Sequence, residues 1–313
     1  MSASGAIPEP PIEMPPARTV LVPGRGEFFL RDTGGDGPVL MLLHGWLVNA
    51  DLNWCGAYAA LALAGYRVLA IDHRGHGRGL RPLVAFRLTD CAADMAGVLR
   101  TLGLPPAILV GYSMGGAIAQ LAARDHPDVV AGLVLSGTAQ HFQEARDRRA
   151  WRAMSPLGLA LAIAPGRVWE AGFNRLGVSG EAGSASAWLY SELLRNSPRD
   201  LAEAGRELGR FDSRPWLSEL RLPAAVVLTA RDAAVPPERQ RELATALGAK
   251  LFEAPIDHLQ ITTGWQEYNP VLLEALRSVL ESTVSAQTNP KPALEESAPA
   301  HKSEAAPEES PVR

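Results

Sequence analysis

The sequence predicts an α/β fold in which a doubly wound, mostly parallel sheet carries a helical cap insertion. Two observations support this prediction. Apolar runs of strand length alternate along the chain with segments of helical pattern, which is the alternation that βαβ units produce. The run Val39–Leu43 is unbroken and apolar, as is typical of a strand covered on both faces in a parallel sheet.

The predicted elements of the first half are separated by glycine and proline. Strands are predicted at 20–22, 28–31, 39–43, 66–71, 107–111 and 129–136, and helices at 51–64, 89–102 and 114–126. Thr89 or Asp90 is the predicted N-cap of the second helix.

The stretch Gly111-Tyr112-Ser113-Met114-Gly115 lies between a predicted buried strand and a helix, and it has the G-x-S-x-G pattern of a nucleophile elbow. Such a turn requires Ser113 at positive φ and brings strand and helix so close that only glycine fits at positions 111 and 115. Ser113 is therefore the predicted nucleophile. The amide of Met114, at the helix N-terminus, is a predicted donor to a developing negative charge. The alternative is an ordinary glycine-rich turn.

His44, Gly45 and Trp46 follow the strand at 39–43. Gly45 permits an unusual backbone conformation, so the amide of Trp46 is predicted to converge with that of Met114 in an oxyanion hole. His44 is a possible base. The sequence favours a structural role for it, bracing the turn, because a better-placed histidine occurs later.

Residues 72–79 contain one aspartate and two histidines, a combination that can bind a metal ion. Arg74 and Arg78 in the same segment would repel a cation, and the glycine spacing is typical of a tight connection. We therefore predict no metal and no other cofactor.

The pattern changes near residue 139. Up to residue 215 the chain is helical in pattern and contains arginines and tryptophans, but no convincing buried strand. This predicts a cap lying over the carboxyl edge of the sheet, where such folds bind ligands. The apolar run 157–163 and the tryptophans Trp151, Trp169 and Trp188 are interpreted either as cap core or as the lining of an apolar substrate pocket.

The core resumes at about residue 216. Strands are predicted at 224–229 and 250–253, and helices at 238–247 and 268–283. Asp232 and His258 each lie in the loop directly after one of these strands. Because such loops gather at one edge of a parallel sheet, we predict that both side chains meet Ser113 there.

Serine, histidine and aspartate together form the catalytic triad of many nucleophilic enzymes. A histidine takes the proton of a serine hydroxyl that is otherwise a poor nucleophile, and a buried carboxylate fixes the tautomer of that histidine. The predicted roles are nucleophile for Ser113, base for His258 and orienting acid for Asp232. Asp257 is a competing acid, disfavoured because adjacent side chains point in different directions. The alternative for Asp232 is an ordinary turn carboxylate.

At this point the chain resembles the α/β-hydrolase superfamily over residues 18–283. The motifs that carry the resemblance are His44-Gly45-Trp46, the segment 72–77, the segment 111–116, Arg231-Asp232 and Asp257-His258. The first and third are most similar to those of the esterases grouped with cofactor-free haloperoxidases, or perhydrolases.

The resemblance implies that the amides of Trp46 and Met114 form the oxyanion hole. Several such relatives carry proline directly after the tryptophan, where this chain has Leu47. This departure favours ester hydrolysis over peracid formation. Epoxide hydrolases and haloalkane dehalogenases of the superfamily use aspartate at the elbow, so Ser113 argues against both.

The function predicted is hydrolysis of a carboxylic ester through an acyl-enzyme intermediate, with a small-molecule ester, carrying an apolar acyl group, as substrate. The same triad also serves carbon–carbon bond hydrolysis, thioester hydrolysis and acyl transfer. A non-catalytic binding protein on this fold is the least favoured alternative. The sequence indicates no oligomeric state.

Composition sets the remaining expectations. A net charge of −4 argues against nucleic-acid binding, and a hydrophobic share of 47% can build a large core. Cys55 and Cys91 are far apart and are expected to be free thiols. No signal peptide or membrane span is predicted, so a cytoplasmic location is expected.

The predicted organisation has four parts. Residues 1–17 are a disordered proline-rich N-terminus, 18–138 and 216–284 form the core, 139–215 form the cap, and 285–313 are a disordered tail.

Overall fold

The computed structural model describes residues 9–143 and 185–288. Within these ranges the strands are β1 (Ala17–Val22), β2 (Gly26–Asp32), β3 (Val39–Leu43), β4 (Arg67–Ile71), β5 (Ala107–Tyr112), β6 (Val130–Ser136), β7 (Ala224–Thr229) and β8 (Lys250–Ala254). The helices are α1 (Ala50–Leu63), α2 (Leu88–Thr101), α3 (Met114–Asp125), α4 (Ala185–Leu194), α5 (Pro198–Leu208), α6 (Pro237–Leu247) and α7 (Trp265–Thr288).

The strands form one sheet in the order β1-β2-β4-β3-β5-β6-β7-β8. β2 pairs antiparallel with β1 and with β4, and the remaining neighbours pair parallel. The predicted doubly wound, mostly parallel sheet is therefore confirmed. β5, which precedes Ser113, lies inside the sheet between β3 and β6.

Helices cover both faces of the sheet, which explains why β3 and β5 are buried at every position. Successive strand residues point to opposite faces. Met41 and Leu109 pack into a buried cluster with α2, α3 and α6, while Leu40 and Val110 join a second cluster with α1 and α7. Each central strand thus contributes side chains to two cores.

The N-terminal segment departs from the expected disorder of residues 1–17. Among the described residues 9–16, Ile12 and Met14 pack against a buried cluster on α1 and α4. The carbonyl of Pro15 accepts a 3.0 Å hydrogen bond from the guanidinium of Arg31. Two apolar side chains among prolines suffice to hold this stretch, and composition alone did not indicate it.

Two helix ends also differ from expectation. α2 begins at Leu88 after Arg87, which makes no side-chain cap bond, so the predicted cap at Thr89 or Asp90 is wrong. Both residues lie inside the first turn instead. α7 continues through Thr288, so the tail predicted from residue 285 begins within a helix.

The predicted cap is described at 139–143 and 185–215, where the short connection 195–197 joins α4 to α5. Trp151, Trp169 and the run 157–163 lie outside the described residues. The first and last residues of the predicted cap are held beside α3. Gln120 of α3 donates to the carbonyl of Ala139 at 3.2 Å and accepts from the hydroxyl of Ser213 at 2.7 Å.

None of the helices within 9–143 and 185–288 combines the length and apolarity that crossing a bilayer requires.

Candidate active site

The turn between β5 and α3 has the strained geometry that the elbow motif predicts. Ser113 has φ 52° and ψ −115°, in a region that residues other than glycine rarely adopt. An added Cβ at Gly111 would lie 2.5 Å from the carbonyl oxygen of Gly115, and one at Gly115 would overlap the carbonyl of Leu43. Only glycine fits at either position, so α3 starts directly against the sheet. The backbone amide of Ser113 donates to the carbonyl of Ser136 at 2.9 Å, which fixes the turn to β6.

The structure brings together the three side chains that the sequence selects. Nε2 of His258 lies 3.1 Å from Oγ of Ser113, and its Nδ1 lies 2.7 Å from Oδ2 of Asp232. Asp232 and Ser113 are buried, while the His258 side chain is 19% exposed. The loops after β5, β7 and β8 supply one residue each. This is the arrangement in which histidine can accept the serine proton while the carboxylate fixes its tautomer.

Asp232 is held by more partners than the sequence indicated. Its Oδ1 accepts from the backbone amides of Ala234 and Val235 at 2.8 and 2.7 Å. Its Oδ2 accepts from the hydroxyl of Thr229 at 2.7 Å as well as facing His258. The two backbone amides are bonds that an ordinary turn carboxylate also makes, and the contact of Oδ2 with His258 is what goes beyond that role.

Thr229 and Gln240 support this carboxylate, and sequence reasoning missed both. The amide nitrogen of Gln240 donates to Oγ1 of Thr229 at 2.8 Å, and its oxygen accepts from the Thr229 backbone amide at 3.0 Å. Both residues are buried. A usable signal existed for Thr229, since it is a polar residue that ends an apolar strand three positions before the acid.

Asp257 takes no part in this arrangement. Its Oδ1 accepts from the backbone amides of Leu259 and Gln260 at 2.8 and 3.0 Å, which stabilises the turn after His258. Tyr112 holds the same loop from the opposite side, because its hydroxyl donates to the carbonyl of His258 at 2.7 Å. Burial raises the pKa of Tyr112 well above its ordinary value, so this hydroxyl remains a donor.

The β3–α1 loop, residues 44–49, lies beside the nucleophile. An added Cβ at Gly45 would be 3.5 Å from the Cβ of Ser113. The amide of Gly45 donates to Oδ1 of Asn53 at 2.9 Å, and Leu47 has a φ of 71°. Met114 is the first residue of α3, and the amide at that position has no acceptor within its own helix. The two predicted oxyanion donors, Trp46 and Met114, thus belong to segments that flank Ser113.

His44 braces the base of this loop, in agreement with its predicted structural role. Its Nδ1 lies 2.8 Å from the carbonyl of Gly45, and its Nε2 accepts from the backbone amide of His73 at 3.0 Å. Its ring centroid lies 4.2 Å from that of His73 and 5.2 Å from that of His76. Burial lowers the pKa of His73 to about 3 and of His76 to about 4. In the described part of the chain, no group of three or more His, Cys, Asp or Glu residues is arranged to hold a metal ion.

An open cleft of about 550 Å³ adjoins the imidazole of His258. Among the described residues its lining includes Arg231, Asp257, Leu259 and Thr263. The side chain of Leu259 is 77% exposed, so an apolar surface lies next to the catalytic histidine candidate.

Comparison with known proteins is consistent with this geometry. A model of the alpha/beta hydrolase fold family matches residues 38–172. The pimeloyl-[acyl-carrier protein] methyl ester esterase of Chromobacterium violaceum is 30% identical over 259 residues, which cover 79% of this chain and 97% of that protein. A non-heme chloroperoxidase of Streptomyces lividans is 27% identical over 281 residues, covering 83% and 99%.

Two further similarities are limited, one in the length matched and the other in sequence identity. Epoxide hydrolase B of Mycobacterium tuberculosis is 42% identical over 100 residues, and this match spans 31% of the chain and only 28% of that relative. The crystal structure of a bromoperoxidase from Bacillus anthracis superposes with a TM-score of 0.69 at 22% identity, covering 84% of this chain and 100% of that one. At this identity the superposition shows the fold alone.

The mostly parallel α/β sheet, the glycine-flanked turn at Ser113 and these similarities indicate one family. The chain belongs to the alpha/beta hydrolase fold family. The resemblance to esterases and non-heme haloperoxidases that its motifs indicate is confirmed.

Proposed function

We propose that the protein is a serine hydrolase that cleaves a carboxylic ester through an acyl-enzyme intermediate. The observation that carries the proposal is the hydrogen-bonded chain from Ser113 through His258 to Asp232. Relatives named as an esterase and a non-heme chloroperoxidase, each matched over most of their length, support it.

In the proposed reaction the hydroxyl of Ser113 attacks the acyl carbonyl while Nε2 of His258 accepts its proton. Asp232 stabilises the imidazolium that forms. The backbone amides of Trp46 and Met114 donate to the tetrahedral oxyanion, where a single donor is worth about 10²–10³ in kcat. His258 then protonates the leaving alcohol, and water activated by the same imidazole releases the acid.

The proposed substrate is a small-molecule ester with an apolar acyl group. In support of this, the exposed Leu259 follows His258 in the chain and gives the cleft that both residues line an apolar side chain. Trp188 does not contribute to such a pocket: it is buried against Leu52 and Cys55, and it belongs to the packing between α4 and α1. The division into a core and a cap over 139–215 is part of the same proposal.

The epoxide hydrolase match does not favour epoxide opening, because the elbow of this chain carries a serine. A serine hydroxyl forms an ester with an acyl group, which is the intermediate that an ester, thioester or diketone substrate requires. Hydrolysis rates on a panel of p-nitrophenyl esters, acyl-thioesters and ring-cleavage diketones distinguish these three substrate classes.

The replacement Ser113→Ala tests the proposal. We expect kcat on p-nitrophenyl acetate to fall on the order of 10⁶-fold, because the nucleophile is removed while the fold remains. Labelling by a fluorescent fluorophosphonate should occur in the wild type and disappear in the variant. Wild-type turnover by Ser113→Ala would show that another group carries the reaction.

A further inference from the structure

The segment that contains α4 and α5 forms hydrogen bonds with three residues of the β3–α1 loop. The indole Nε1 of Trp46 donates to the carbonyl of Leu201 at 2.8 Å. Nδ2 of Asn196, in the connection between the two helices, donates to the carbonyl of Leu47 at 2.9 Å. The side-chain nitrogen Nδ2 of Asn49 donates to Oε2 of Glu192 at 2.7 Å.

Asn196 is the central contact because both ends of its amide are used across the interface. While Nδ2 donates to Leu47, Oδ1 accepts from the backbone amide of Gly77 at 2.8 Å. Asn196 is 4% exposed, and its bond to Gly77 is buried, whereas its bond to Leu47 is partly buried. One residue between α4 and α5 therefore joins the loops that follow β3 and β4.

The backbone that Asn196 holds is strained. Leu47 has φ 71°, a conformation that costs a residue with a Cβ on the order of 1 kcal/mol and persists only when its surroundings fix it. The bond to the Leu47 carbonyl fixes the peptide that follows this residue. The amide of Gly45, one residue before Trp46, is fixed from the other side by Asn53.

We propose that Asn196 is a positioning residue for the oxyanion hole. By holding the carbonyl of Leu47 it keeps the strained loop in the conformation that directs the amide of Trp46 toward Ser113. This inference rests on the proposed function and goes beyond it, because it assigns a residue between α4 and α5 a part in the chemistry.

Asn196→Ala and Asn196→Asp test this inference. The aspartate keeps an acceptor for Gly77 but removes the donor to Leu47 and sets an oxygen against its carbonyl. We expect kcat on p-nitrophenyl acetate to fall about tenfold or more in both variants, with KM changed less than about threefold, because a displaced donor affects the transition state more than the bound ester. The rate of fluorophosphonate labelling should fall in parallel.

Glu203→Ala provides a matched control. Oε2 of Glu203 accepts from the backbone amide of Phe86 at 2.8 Å, so this variant also removes a hydrogen bond between α5 and the core, and Phe86 lies outside the β3–α1 loop. We expect it to keep the wild-type kcat even where its melting temperature falls as far as that of the Asn196 variants.

The outcomes separate the two proposals. An active wild type, together with an Asn196→Asp variant whose kcat and labelling rate lie within twofold of it, overturns the positioning role alone. Equal losses of kcat in Glu203→Ala and Asn196→Asp also overturn it, since the loss would then follow from weaker packing of α4 and α5 on the core in general. A wild type that neither hydrolyses the ester nor reacts with fluorophosphonate overturns the proposed function, and this inference with it.

Discussion

At the scale of single residues, two carboxylates near the imidazole of His258 differ in one contact. Each accepts two backbone amides of its own turn, but only Asp232 also faces the imidazole, at 2.7 Å. Asp257 is adjacent to His258 in sequence, and the side chains of adjacent residues point in different directions.

Asp232→Asn should lower kcat by about 10⁴-fold, because an amide no longer fixes the imidazole tautomer or stabilises the imidazolium. Asp257→Asn is the matched control and should keep kcat within a few-fold of the wild type. Steady-state kinetics on one p-nitrophenyl ester measures both. Equal losses in the two variants would contradict the assignment of Asp232 as the orienting acid.

Leu47 offers a test of backbone strain. Proline is locked near φ −65°, whereas Leu47 has φ 71°, so Leu47→Pro should force the loop to rearrange and lower both kcat and the melting temperature. Leu47→Gly removes the strain and should keep kcat within a few-fold, with stability changed by less than about 1 kcal/mol. A proline variant with wild-type kinetics would show that the conformation of this residue does not matter for the reaction.

At the scale of elements, the loops after β3 and β4 share a buried cluster of three histidines. Burial lowers the pKa of His44, takes that of His73 to about 3 and takes that of His76 to about 4. Burial acts in the opposite direction on Asp72, whose pKa rises to about 6. The histidines remain neutral in the folded protein at pH values where they are protonated in the unfolded chain.

This difference predicts acid destabilisation. Below the ordinary histidine pKa of 6.5 the unfolded chain binds more protons than the folded one, so the free energy of unfolding should fall as pH falls toward 4. Each histidine contributes about 1.4 kcal/mol per pH unit. Asp72 offsets part of this, because the folded state binds its proton first between about pH 6 and 3.8.

Urea unfolding between pH 7.5 and 4.5 measures the slope. His76→Asn keeps a donor for the carbonyl of Arg74, which lies 3.0 Å from the histidine Nδ1, and removes one titrating group. The slope of this variant should be shallower by about one proton. An unchanged slope would show that His76 is not a source of the acid sensitivity.

The elements that could be predicted from the sequence are those with a pattern in consecutive residues. The unbroken apolar run of β3 and the G-x-S-x-G turn at Ser113 are such patterns, and the structure has both at the predicted positions. The N-cap of α2 could not be found in this way, since Arg87 caps it without any side-chain bond.

The supporting residues of the candidate site were beyond sequence reasoning for a different reason. Asn196, between two helices, and Gln240, on α6, are ordinary polar residues, and their partners Leu47 and Thr229 lie 149 and 11 positions away. Only the folded chain brings these groups together. Asp232 and His258 could be predicted because parallel strands end at one edge, a rule that needs no side-chain contact.

At the scale of the whole molecule, one parallel sheet determines which loops can meet. β5 lies in the interior of the sheet, so the strained turn at Ser113 is supported by β3 on one side and β6 on the other. Asp232 and His258 reach the same edge from β7 and β8, which close that half of the sheet.

The hydrogen bond from the hydroxyl of Tyr112 to the carbonyl of His258 joins the loop after the outermost strand, β8, to the interior strand β5. Tyr112 immediately precedes Ser113, so one rigid aromatic ring connects the backbone next to the proposed nucleophile with the backbone of its proposed base. The nucleophile and the base lie 145 positions apart in sequence, and this tether adds to the direct contact between their side chains.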